Sequence, residues 1–372
     1  NADEVMNLAY WTSDYVHLGP FRLTSFDPAE GMAFRAYEAY FLGRPKIDVV
    51  RVRLFGDENA LLSNLLAGTV DLFMESTITP EIGFELKSRW ESSDQGTVYI
   101  TQGFTRFLTP QWRPSVLTEP ANLDARVRAA LYRALDREAL SEGLQAGHRE
   151  LALWSLLPPG DRYYEATRDG FRPHSFDPDR ARAGLAEAGW TPGPDGVLRH
   201  QSDGRRFRNT ISEAGEATRE VAAYADSWRR IGIEVDEVRV PPAQVRDREY
   251  RAQYASWEVS GGSGDSIFSR LEGPAASAQN RWVGNRGGYD DPRAQALVDA
   301  YREGLSERDQ FRAVKGLSDF FVDELPLLVL FVSADPIGVR KGVDALHDVA
   351  GGAQAGQPFG TYSRTAHLWD VQ

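Results

Sequence analysis

The chain contains no cysteine. Disulfides, thiolate catalysis and cysteine-ligated metals are therefore excluded, while the compartment stays open. Lysine is nearly absent: Lys46, Lys87, Lys315 and Lys341 are the full set, so 38 of the 42 basic residues are arginine. We read that bias as GC-rich coding, with thermal adaptation a weaker option. The six histidines are scattered, and no two lie three or four residues apart, so no histidine metal site and no cofactor are expected. There is no long uncharged apolar run, and mean hydropathy is −0.43, so no membrane-spanning helix is expected. Basic residues are outnumbered by 54 acids, giving a net charge of −12. That argues against nucleic acid as a partner, because phosphate binding needs a basic face.

Enzyme signatures are missing too. Gly262-Ser263-Gly264 lacks the outer spacing of a G-x-S-x-G elbow. No P-loop, H-E-x-x-H or post-strand G-x-G-x-x-G occurs. Adjacent acids such as Asp290-Asp291 arise by chance among so many. No internal repeat is found, and the only low-complexity tract is Gly351 to Gly356. No signal peptide is visible, and Asn1-Ala2 reads as a cloning scar.

What is present suits two domains: 372 residues, 42% hydrophobic and 11% aromatic. The organising stretch is LDARVRAALYRALDREAL, Leu123 to Leu140. Asp124 is a good N-cap, and Val127, Ala130, Leu131, Ala134 and Leu135 make a narrow apolar stripe. Arg126, Arg128, Arg133 and Arg137 are expected mostly outside it. Asp136 caps a second helix that Gly147 would end.

Strands are expected at Phe21–Phe26, Met32–Ala36 and Ile47–Phe55, then a helix at Asp57–Ala67 and a buried strand at Val70–Met74. This strand–helix–strand run reads as a βαβ unit of a mostly parallel sheet, with Asp71 a turn-holding acid. A short helix at Pro80–Trp90 and a crossing strand at Thr97–Leu108 follow. Further helices are expected at Asp177–Ala188, Ala217–Ile231, after Asp291-Pro292, and at Ser306–Leu325. Strands are expected at Arg208–Ser212, Ile233–Val240, Ala255–Val259 and Leu327–Val332, the last buried on both faces.

Four segments carry a resemblance when read in order. They are LLSNLLAGTVDLF (from Leu61), the organising helices, LLPPGDRYY (from Leu156) and FDPDRARAGLAEAGW (from Phe176). WRRIGIEV from Trp228 adds to them, as do Gly19-Pro20-Phe21 and the run Gly43 to Asp48, where Phe41 replaces an expected tryptophan. The pattern resembles the family 5 extracellular solute-binding proteins, the peptide- and nickel-binding class of ABC importers. The resemblance implies an α/β, two-lobe, type II periplasmic-binding-protein-like fold with a hinge of two crossing strands. It also implies that the chain opens well inside the family pattern, as a C-terminal two-thirds fragment lacking the N-terminal subdomain or as an unusually short member. The lobes are expected at 3–108 plus 336–372 and at 109–335.

The implied function is extracytoplasmic capture of a short peptide or other small polar solute by hinge closure, without catalysis. The implied protein is a monomer that docks on an ABC permease, in the periplasm or lipid-anchored at the outer face. Two rivals stand beside it: the ligand-sensing domain of a transcriptional regulator, and a hydrolase using cleft acids.

The candidate ligand site is WEVSGGSGDSIF, Trp257 to Phe268, where a strand end, a Gly-rich turn and a helix start come together. Trp257, Ser260, Gly261, Gly262 and Asp265 are its candidates. Backbone N–H groups at such a helix start hold anions such as carboxylates. Asp265 caps that helix or holds a ligand amine, as an acid does in peptide-binding relatives. Ser260 to Gly264 lacks the acid expected there, and no proline follows Asp265. Trp154, Trp282 and Asn285 are second-tier candidates, as cleft wall or as ordinary packing.

Overall fold

The structure is a computed structural model that describes residues 8, 10, 18–214, 217–346 and 362–371. The Gly351 to Gly356 tract and Asn1-Ala2 lie outside the described residues. In chain order the strands are Phe21–Asp27 (β1), Gly31–Ala36 (β2), Val49–Arg53 (β3), Leu72–Phe73 (β4), Gly96–Pro110 (β5), Trp190–Pro192 (β6), Leu198–His200 (β7), Arg208–Glu213 (β8), Glu234–Arg239 (β9), Trp257–Gly262 (β10), Leu328–Arg340 (β11), Val343–Asp344 (β12) and Asp370–Val371 (β13). The longer helices are Glu58–Ala67 (α1), Pro80–Ser93 (α2), Ala125–Arg133 (α3), Arg137–Leu144 (α4), Pro178–Glu187 (α5), Thr218–Arg229 (α6), Pro292–Glu303 (α7) and Glu307–Glu324 (α8). The chain divides into two compact units. One holds the described residues up to Thr101 and from Asp335 onward; the other runs from Gln102 to Ala334. The chain passes from one to the other within β5 and again within β11.

In the smaller unit, β1, β2 and β3 form an antiparallel meander. The Asp27 carboxylate closes its first turn by accepting from the N–H groups of Ala29 and Glu30. Gly31 follows at φ 131°, where a Cβ would lie 2.0 Å from the Val52 carbonyl oxygen, so only glycine fits. Helix α1 begins as expected, with Asp57 accepting from Ala60 N, and ends at Gly68 with φ 72°. It buries Leu61 and Leu65 against Phe73, Leu86 and Trp90.

The expected βαβ unit is not formed. Strand β3 belongs to the meander, whereas β4 pairs antiparallel with the far end of β11 (Phe73 with Gly338) and is only two residues long. Strand order around α1 is thus decided by a partner more than 260 residues away in sequence, which no local pattern encodes.

In the larger unit, β11, β5, β10, β8 and β9 lie side by side in that order. Strands β8 and β9 are parallel, joined through α6, and β10 is parallel to β8 but antiparallel to β5. Leu328 to Val332 are all buried to within 1%, as suits a strand covered on both faces. The organising stretch forms α3 and α4, capped by Asp124 and Asp136 as expected. Its apolar stripe lies in the core: Val127, Ala130, Leu131, Ala134 and Leu135 are at most 3% exposed.

Two arginines depart from expectation. Arg128 and Arg137 are buried, at 2% and 1% exposure. Arg128 donates to the carbonyls of Asn122, Glu324 and Leu325 and lies over Trp112. Burial pulls its pKa down to about 10. Arg137 donates to Tyr132 Oη and the His174 carbonyl, both at 2.7 Å. A guanidinium that donates to carbonyls or a hydroxyl and is covered by rings tolerates a core position that helical periodicity alone would deny it, even with Arg137 Nε left unpartnered.

Candidate functional site

The candidate segment folds differently from a loop leading into a helix. Strand β10 runs on through Ser260, Gly261 and Gly262, which pair with Phe107, Arg106 and Thr105 of β5. A Cβ on Gly261 would sit 2.8 Å from Arg106 Nη1, and one on Gly262 2.8 Å from Ser266 Oγ, both ends of side chains that can shift. The following helix is a seven-residue 3-10 segment, Gly264–Arg270, whose N-cap is Ser263. Asp265 is not the cap. It sits in the first turn, exposed, and its Oδ2 accepts from Tyr301 Oη at 2.9 Å. The Tyr301 hydroxyl is held protonated, first by burial and then by the Asp265 charge. Asp161 is raised as well, by burial and then by Asp265.

The other candidates fall out as follows. Trp257 is fully buried, its ring meeting Trp228 edge-on at 5.3 Å. It is a core residue because its β10 position points the ring away from the surface. Asn285 is 1% exposed and spent internally: Nδ2 donates to the Tyr289 carbonyl, and Oδ1 accepts from Gly288 N. Trp154 is partly buried, with the guanidinium carbons of Arg137 and Arg172 each 4.1 Å from its ring centre. Trp282 is partly buried, in a left-handed turn with φ 58°. Gly284, in the same loop, lines an open depression of about 400 Å³ together with Ser269, Glu272, Gly273 and Gln295.

Around Ser260 the structure assembles charges that sequence reading missed. Glu258, 2% exposed, accepts through Oε1 from Arg251 at 2.6 Å and Arg286 at 2.7 Å. On the other face of the sheet, where Arg106 stands opposite Gly261, Arg106 forms a 3.1 Å pair with Glu220. Arg270 reaches back from the 3-10 turn and donates to Ser260 Oγ at 2.9 Å. Burial lowers the Arg270 pKa, and the charge of Arg286 adds to that. The available signal was the arginine surplus, but its positions follow no period. Among the described residues, no group of three or more His, Cys, Asp or Glu is placed to hold a metal ion. No helix among them is long and apolar enough to cross a membrane.

The model of bacterial extracellular solute-binding proteins, family 5 Middle, matches residues 6–279. The chain belongs to this family. Among curated family 5 relatives, the oligopeptide-binding protein AppA of Bacillus subtilis is 28% identical over 223 residues, 58% of this chain and 38% of the relative. The match spans 38–44% of the length of the first three such relatives. Among solved structures, NikZ of Campylobacter jejuni in complex with Ni(L-His) superposes with a TM-score of 0.76 at 17% identity, over 98% of this chain and 70% of that one. AppA of Bacillus subtilis in complex with a nonapeptide gives 0.72 at 18% identity, over 100% and 70%. These likenesses establish the expected α/β, two-lobe, type II periplasmic-binding-protein fold of family 5.

Proposed function

We propose that this chain is the ligand-capturing part of a substrate-binding component of an ABC importer. It takes a short peptide or other small polar solute by closure about its two strand crossings, with no covalent step. The observation that carries the reading is the division into two compact units, with the chain passing from one to the other within β5 and within β11. Two such crossings are a natural hinge, since a few residues absorb the φ/ψ change. Family membership supports it, as do the nonapeptide and the nickel–histidine complex held by similar folds. The protein works outside the cytoplasmic membrane, in the periplasm or lipid-anchored at its outer face, as a monomer that delivers to a permease.

Native mass spectrometry of the purified chain tests this. Intact masses are compared before and after gentle unfolding. Release of a peptide or small solute is the expected result. If the chain is bare, and no peptide, amino acid or metal–histidine complex at millimolar concentration changes its mass or melting temperature, the reading fails.

A further inference from the structure

We propose that Arg270 anchors a carboxylate of the captured solute, with the Ser260 hydroxyl as the second donor. This rests on the capture reading above and names the chemistry of the solute that the larger unit recognises.

The warrant is an unbalanced set of donors. Arg270 makes one hydrogen bond to a described residue, through Nη2 to Ser260 Oγ. Its guanidinium carbon lies 5.8 Å from the ring centre of Phe107. No described carboxylate forms an ion pair with it; Glu258 acts on it through its charge alone. Glu258 holds Arg251 and Arg286, Glu220 holds Arg106, Glu272 holds Arg302, and Asp265 holds Tyr301. Three guanidinium groups, of Arg251, Arg270 and Arg286, therefore share the charge of one carboxylate, Glu258. Burial works against the charged form of Arg270, yet a guanidinium stays protonated in proteins. A desolvated cation that shares its counter-charge with two others is costly, and an incoming anion lowers that cost.

The chemistry of the pair selects the ligand. Ser260 Oγ accepts from Arg270, which leaves its own O–H to donate outward. Arg270 has further N–H groups in a planar fork. Both residues are partly exposed, and Gly261 and Gly262 beside them carry no side chain to cover the edge. Arg270 and Ser260 both have donors to offer, so the complement of this pair is an acceptor group. A guanidinium fork fits a planar carboxylate through two parallel bonds. An acid at position 260 would satisfy Arg270 internally and invite an amine instead. Serine leaves the positive charge for the solute.

The test uses calorimetric titration and thermal shift on the whole chain with three probes. N-acetylglycylglycine carries a carboxylate and no amine; glycylglycinamide carries an amine and no carboxylate; inorganic phosphate is a free oxyanion. The acetylated dipeptide is expected to bind best. Arg270→Gln is expected to weaken it by at least about tenfold, and Arg270→Lys by less, since lysine keeps the charge but not the fork. Ser260→Asp places a carboxylate against Arg270, so it is expected to raise the melting temperature and abolish binding; it decides the matter if Arg270→Gln does not fold. Preference for the amide, phosphate binding as tight as the acetylated dipeptide, or unchanged affinity in Arg270→Gln overturns the assignment. If no probe binds while native mass spectrometry finds another captured solute, the carboxylate anchor fails and capture stands. If neither finds a ligand, both fail.

Discussion

Arg128, on α3, holds the last carbonyls of α8: its Nε donates to Glu324 O and Leu325 O, both at 3.1 Å, while Nη1 donates to Asn122 O at 2.9 Å. Leu325 ends that helix in a left-handed conformation with φ 46°, so its carbonyl has no helical partner. The arginine is therefore the cap of a distant helix, and it leaves three buried acceptors unsatisfied if removed. Arg128→Met is expected to destabilise the chain by about 3 kcal/mol. Urea denaturation of the two proteins measures it, and a loss under about 1 kcal/mol would contradict the cap.

His174 makes the larger unit sensitive to acid. Its Nε2 lies 2.8 Å from the Val322 carbonyl and so carries the proton, while Nδ1 is buried with no partner. Burial, then the charges of Arg133, Arg137 and Arg180, pulls its pKa from 6.5 down to about 4, against the opposing Val322 hydrogen bond. The folded pKa is depressed, so for this base the stabilising state is the neutral one. Its contribution is intact above pH 6.5 and is lost as pH falls toward 4, by up to about 3 kcal/mol. Melting temperature followed from pH 7 to 4 checks this. His174→Gln keeps a donor for Val322 and cannot titrate, so it should lose less stability across that window.

Glu258 is the shared counter-charge of Arg251 and Arg286. Glu258→Gln leaves two partly buried cations without it. The expected cost is about 3 kcal/mol, read by chemical denaturation. A neutral result would mean that the arginines find solvent or other carboxylates.

Trp228 ties α6 to α3 through Nε1, which donates to the Leu131 carbonyl at 3.0 Å, and it packs on Trp257 with no exposure. Trp228→Ala is expected to cost about 3–5 kcal/mol, as large core deletions do. Trp228→Phe should cost less, since most of the apolar volume stays. Equilibrium unfolding of both variants separates the packing from the hydrogen bond.

The readable part of this protein is the part governed by neighbours in sequence. Asp124, Asp136, Asp177 and Asp291 cap the helices expected of them, and Asp57 and Ser306 cap helices expected to start there, because a cap is a contact across two or three residues. The stripe of α3 and the apolar start of β11 were legible for the same reason. The candidate segment from Trp257 was read as a strand end, a Gly-rich turn and a helix start, and the structure makes it a longer strand followed by a 3-10 turn. Ser260 to Gly262 became strand because β5 offered a pairing edge. Trp257 and Asn285 turned inward, and Asp265 gave its carboxylate to Tyr301 rather than to a cap. Arg128, Arg137 and Arg270 look alike in sequence. What separates them is what surrounds each guanidinium: carbonyls for the first two, and for Arg270 a single serine. By itself the sequence determined the longer helices, their N-caps and the family. Sheet partners, arginine burial and the charge of Arg270 beside Ser260 were decided by tertiary structure, because each depends on residues brought together from distant parts of the chain.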